Sequence, residues 1–242
     1  MPTRSDLAYV ALLALAWPAY EWARWRRVEP RLRAAPERER VRLYAEAILT
    51  QWALVAVGVG LWAHAGRPWA PLGLRAPHGW RLAVALVLVG ALAALHGRNA
   101  VAVARRPRAR AQARQLVAPL AHMLPHTDRE IGAFLALSIT AGTCEEVLFR
   151  GYLPWALAPW LTWGGALLAG AVPFGVLHAY QGRAGVVRTA ATGVALAGVV
   201  ALTGSLLPAM AAHALVDLGS GLLAWLALRT DPHPLGGPAV PA

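Results

Sequence analysis

The sequence predicts an all-α protein, a polytopic bundle of about seven membrane helices with its chemistry gathered on the fourth, fifth and seventh. Three observations carry that prediction. Of 242 residues, 57% are hydrophobic and only 14% charged, against about 25% charged in an ordinary soluble domain. Mean hydropathy is positive, at +0.46. Several apolar runs reach the roughly 20 residues that cross a hydrocarbon core about 30 Å thick. Those runs are unbroken rather than alternating, which excludes a barrel of strands.

The formal net charge of +11 and a pI near 11.4 would suit a nucleic-acid binder. The pattern excludes nucleic acid as a partner. All 23 basic residues are arginine, and they collect between the apolar runs, as topology demands of cytoplasmic loops. The single Cys144 excludes an internal disulfide.

In chain order, Leu7 to Trp25 reads as the first membrane helix. No small-x-small cleavage site follows it, so it is not taken as a signal peptide. A dense cluster follows instead: Arg24, Arg26, Arg27, Arg31, Arg33, Arg38, Arg40 and Arg42. Tyr44 to Ala65 is the second helix, Gly66 to Gly79 a Pro/Gly-rich loop, and Trp80 to His96 the third helix. The basic connector Gly97 to Arg129 contains a stretch, Ala109 to Leu124, that can lie as an amphipathic helix on an anionic leaflet. The fourth helix runs from Glu130 to about Leu157, the fifth from Trp160 to Tyr180, the sixth from Val186 to Thr203 and the seventh from Leu206 to Leu228. Residues 1–128 thus form an N-terminal three-helix part with basic loops, and residues 129–229 a core. The tail, 230–242, is Pro/Gly-rich and expected to be disordered. With seven crossings, and Arg150 set aside, arginines divide 18 to 4 between the two faces. That bias puts the N-terminus outside and the C-terminus in the cytoplasm. Arginine in place of lysine suits a GC-rich genome, so the expected location is a bacterial inner cell membrane.

Six ionisable residues remain at membrane depth: Glu145, Glu146 and Arg150 on helix four, His178 on helix five, and His213 with Asp217 on helix seven. His64, His96 and Glu46 sit at helix ends and read as interfacial. Glu146 and Arg150 are spaced i,i+4 and share a face, as do Phe174 with His178 and His213 with Asp217. Glu145 is turned about 100° from Glu146. A turn at Ala158–Pro159 would leave Glu145 roughly 18–20 Å and His178 roughly 28 Å from it at 1.5 Å per residue, a mismatch near 10 Å. Glycines on helices five and six (164, 165, 170, 175, 193 and 198) permit close approach. Any one of these groups alone is best read as a structural ion pair or hydrogen bond. Two carboxylates, two histidines and an aspartate in four patches favour function, because intramembrane charge is costly.

The same residues resemble the three ordered motifs of the CPBP family, which groups type II CAAX prenyl endopeptidases with bacterial relatives linked to bacteriocin processing and immunity. The motifs are Glu145-Glu146-x-x-x-Arg150-Gly151, Phe174-x-x-x-His178 and His213-x-x-x-Asp217, and the resemblance covers roughly Arg129 to Leu228. It implies an intramembrane endopeptidase acting on a membrane-associated peptide or protein. Glu145 and His178 would activate water, His213 and Asp217 would hold the oxyanion, and Glu146 with Arg150 would orient the site. An ionised Asp217 cannot donate a hydrogen bond, so it must be protonated, orient His213, or bind metal. The last option keeps a catalytic Zn²⁺ held by Glu145, His178 and His213 open as a cofactor, although no HExxH is present.

Two other classes compete. A non-catalytic membrane scaffold or bacteriocin-immunity protein would keep the fold without the chemistry. A proton-coupled transporter ordinarily shows internal repeats, and none is visible. A retinal-type receptor is excluded, since no lysine exists for a Schiff base. Nothing in the sequence says whether a substrate is prenylated.

Overall fold

The computed structural model describes residues 1–229 and is built from helices, with no strand among the described residues. The tail expected to be disordered lies outside the described residues. In chain order the α-helices are α1 (Arg4–Ala11), α2 (Trp17–Ala34), α3 (Pro36–His64), α4 (Trp80–Arg105), α5 (Pro107–Val117), α6 (Asp128–Glu146), α7 (Leu153–Ala169), α8 (Ala171–Leu177), α9 (Gly182–Thr203) and α10 (Leu207–Leu228). Two π-helical turns, Leu12–Ala16 and Val147–Tyr152, join α1 to α2 and α6 to α7.

Among the described residues, five segments are long and apolar enough to cross a membrane: Pro36–His64, Trp80–Arg105, Asp128–Ala169, Ala179–Thr203 and Leu207–Leu228. The helix expected over Leu7–Trp25 is present inside α1 and α2 but is not among the five. Its apolar stretch ends at Trp17, and Pro18, Tyr20, Glu21 and Arg24 follow within the next turns, so it is too short to cross. The expected fifth helix is shorter and more broken than the apolar run suggests. A continuous helix passes through Ala158–Pro159, and the break comes at Thr162, whose φ of 59° and ψ of 166° are not helical. The Thr162 hydroxyl accepts from the Gly165 amide at 3.4 Å, so the same residue starts the next turn. Moving the turn there leaves Glu145 and His178 each roughly 25 Å from it at 1.5 Å per residue. The depth mismatch disappears.

Three helices also begin or end differently from the apolar runs. Polar turns extend α3 back to Pro36 because Arg40 is buried in an ion pair with Glu130 (Nε to Oε1, 2.6 Å). Helix α4 continues to Arg105, so His96 lies inside it rather than at its end. There the His96 ring fills the space over Gly219 of α10. The amphipathic stretch appears as α5 followed by a 3₁₀ turn, Ala118–Met123.

Helix α6 begins with a capping box. Thr127 accepts from the Glu130 amide at 3.3 Å, and Glu130 Oε2 accepts from the Thr127 and His126 amides at 2.9 and 2.7 Å. Its far end is the centre of the molecule. Leu148 and Phe149 have no exposed surface, and Tyr9, Leu13 and Trp17 from the N-terminal helices pack against them. The N-terminal part is therefore a wall of the core. Its attachment is polar as well. Asp6 receives the Arg67 guanidinium, the Tyr152 hydroxyl and the Thr3 amide. Burial pushes the Asp6 carboxyl up, but the hydrogen bonds from Arg67, Tyr152 and Thr3 outweigh it and hold it well below the usual carboxylate range.

Candidate active site

Close approach of α6 and α10 creates the site. A Cβ on Gly142 would stand 2.7 Å from the Ala214 amide nitrogen, so only glycine lets the two helices meet there. One turn along, Glu146 on α6 faces His213 on α10. Glu146 Oε1 accepts from Arg150 at 2.7 Å, as the i,i+4 spacing predicts, and lies 2.8 Å from His213 Nδ1. A carboxylate only accepts, so Nδ1 carries the proton of that contact. His213 Nε2 is thereby turned the other way, 4.0 Å from Glu145 Oε2 and 3.7 Å from Asp217 Oδ2.

Glu145 and Glu146 are both buried, yet their surroundings differ. Glu145 Oε1 accepts from the side-chain amide of Gln51 on α3 at 3.0 Å, while its Oε2 is buried without a partner. Gln51 Oε1 is likewise unpartnered. Gln51 does not appear among the sequence candidates, since only ionisable groups were weighed. The available signal was a lone amide within the apolar run from Ala47 to Gly60.

Phe174 ties the remaining motif to these two. Its ring lies edge-on to His213 with centroids 5.7 Å apart, and the Arg150 guanidinium sits 4.0 Å over its face. The ring of His178 is 5.2 Å from that of Phe174. His178 stands at the C-cap of α8, and its Nδ1 is 2.9 Å from the Phe174 carbonyl oxygen. That oxygen only accepts, which puts a proton on Nδ1 and, in the neutral ring, leaves Nε2 bare. A Cβ on Gly193 of α9 would press on both Phe174, at 3.0 Å, and Arg150, at 3.1 Å. Of the expected glycines, Gly164 and Gly198 have open space and play no such part.

The structure thus joins Glu145, Glu146, Arg150, His213 and Asp217 by direct contacts, and His178 through Phe174. Asp217 is the exposed member, its side chain 36% accessible against 5% for Glu145. The expected zinc donors do not converge: no group of three His, Cys, Asp or Glu side chains among the described residues could hold a metal ion.

The class this defines is an integral membrane helix bundle with a carboxylate–histidine centre buried where its helices cross. Residues 127–219, under half of the chain, match the family model described as type II CAAX prenyl endopeptidase Rce1-like. All three motifs fall inside the match. No curated protein and no solved structure matches the chain.

Proposed function

We propose that this protein is an intramembrane endopeptidase that hydrolyses a peptide bond of a membrane-associated protein or peptide, using water activated by Glu145. The observation that carries the reading is the open carboxylate oxygen of Glu145. Glu145 Oε2 is buried with no partner while Gln51 fixes the other oxygen. A buried carboxylate oxygen without a hydrogen-bond donor costs stability, and a reacting water is the partner that offsets it.

Glu145 Oε2 takes one proton of the water as its oxygen attacks the carbonyl carbon. His178, with Nε2 bare, shares the water or accepts its proton. The carbonyl oxygen becomes an oxyanion, which His213 stabilises when its Nε2 is protonated, Asp217 lying close enough to favour that charge. The proton held by Glu145 then passes to the leaving amine, and the C–N bond breaks. Glu146 and Arg150 act through His213, Glu146 fixing its ring by Nδ1 and Arg150 holding Glu146.

Comparing peptide termini in the membrane proteome of cells with wild type and with Glu145→Gln tests this. Termini that appear only with wild type are expected; identical termini would leave the scaffold or immunity reading in its place. Reconstituted cleavage in rigorously metal-free buffer is expected to persist, because the donors are not gathered. Loss of cleavage on chelation, restored by Zn²⁺, would require them to regroup around an ion.

A further inference from the structure

A second polar cavity lies away from this site, between α2 and α3, which form a hairpin turning at Ala35. It is an open cleft of about 490 Å³, and its charged lining is Arg24, Arg27 and Arg31 of α2 opposite Glu39, Arg42 and Glu46 of α3. The residues fall on two facing stripes, one from each helix, each at i,i+3 or i,i+4 spacing. These stripes do not interdigitate. They leave a space.

The four arginines are not equivalent. Glu46 uses both oxygens, Oε2 for Arg24 and Oε1 for Arg42, the latter at 2.7 Å, and Arg24 also reaches Glu21 at 2.9 Å. Arg24 and Arg42 are thereby held as walls. Arg27 and Arg31 are exposed and have no hydrogen-bond or ion-pair partner among the described residues. Even with Glu39 counted, the lining retains two positive charges.

Leu43 lines the cleft among the charged side chains, and beyond the Arg24–Glu46 pair its deeper end is lined by Leu49, which is 70% exposed. Leu49 lies roughly 15 Å further from the turn than the level of Arg31 at 1.5 Å per residue, which is about half a hydrocarbon core. Tyr20, 60% exposed, stands at that deeper end. A polar anion with an apolar tail about one leaflet long fits this gradient. Basic pockets between membrane helices bind lipid head groups by the same chemistry.

We propose that the α2–α3 cleft binds an anionic glycerophospholipid, its phosphate between Arg27 and Arg31 and an acyl chain along Leu43 and Leu49. The shared chemistry with soluble ligands is the phosphate, and the apolar side chains of Leu43 and Leu49 select the lipid. This site is separate from the catalytic reading and stands whether or not the protein is a protease.

The test uses full-length protein in phosphatidylcholine nanodiscs containing phosphatidylglycerol, with bound phosphatidylglycerol counted by native mass spectrometry. Arg27→Gln/Arg31→Gln should bind about thirtyfold more weakly, roughly fivefold for each arginine. Arg106→Gln/Arg108→Gln, which removes two exposed arginines outside the cleft, should leave binding unchanged. Equal losses in the two variants would mean general attraction to a basic surface and would overturn the proposal, as would no loss in either. Arg27→Lys/Arg31→Lys keeps the charge and should retain most of the binding even if the glutamine variant folds poorly; loss there, with folding intact, also counts against it. Inorganic phosphate should not displace the lipid. Displacement by phosphate alone would assign the cleft to a soluble anion instead.

Discussion

Helix α6 carries three buried glutamates, and its two ends use them in opposite ways. At the start, Glu130 is fully enclosed and both oxygens are bonded, one to Arg40 and the other to two backbone amides. At the far end, Glu145 and Glu146 are as deeply buried, yet each leaves one oxygen without a partner. The sequence type, the helix and the burial are the same; the difference is saturation. A saturated buried carboxylate locks structure and has no capacity left for a ligand. An unsaturated one costs stability and persists where something else fills the gap, which is what a hydrolytic site requires of its base.

That difference predicts opposite phenotypes for the same substitution. Glu145→Gln should lower cleavage by roughly a thousandfold while thermal stability stays near wild type or rises, since a costly buried charge is gone. Glu130→Gln should do the reverse. It leaves the Arg40 guanidinium without its counter-charge, an expected loss of about 3 kcal/mol, while folded molecules keep their activity. Thermal denaturation in parallel with cleavage of a reconstituted substrate separates the two. Substitutions that shifted stability and activity together at both ends would erase the distinction.

Asp6 is a second saturated carboxylate and extends the comparison to the N-terminal helices. Asp6→Asn should cost about 2 kcal/mol through the hydrogen bonds to Arg67, with little effect on turnover. The pH sign follows from its lowered value. A depressed carboxyl contributes stability that is fully present above its unfolded value, about 3.9, and fades as pH falls through the folded one. The Asp6 contribution is therefore constant across neutral pH and declines only in acid below about pH 4. Stability profiles of wild type and Asp6→Asn should converge there. Convergence near neutrality would mean that the carboxyl is not held low.

Local spacing made much of this legible. Glu146 with Arg150, and His213 with Asp217, are i,i+4 pairs, and the helix alone places each pair on one face. The all-α membrane class follows from hydropathy. What the spacing could not supply is anything set by packing between helices far apart in sequence. The break after helix four was expected at Pro159, since proline disrupts a helix interior, yet the chain turns at Thr162, whose conformation depends on its surroundings. Arg40 reads as one more loop arginine until Glu130, ninety residues on, is seen to bury it. The N-terminal helices carry no motif, so their role as a wall of the site became visible only through Gln51, Trp17 and Tyr9.

Gln51 gives the smallest of these effects and the sharpest test of saturation. Its amide nitrogen donates to Glu145 Oε1, and its own Oε1 has no partner. Gln51→Leu removes both the donor that orients the base and an orphaned acceptor. Loss of one charge-assisted hydrogen bond should lower kcat by about tenfold with KM unchanged, because the bond aims the base and does not hold the substrate. Stability should fall by about 1–2 kcal/mol, since Glu145 Oε1 then joins Oε2 as a buried oxygen without a donor. Gln51→Glu, which sets a second carboxylate beside Glu145, should be worse in both respects. If Gln51→Leu instead raises KM and spares kcat, the residue lines the substrate path rather than positioning the base. The unfilled oxygen of Glu145 would then need another explanation.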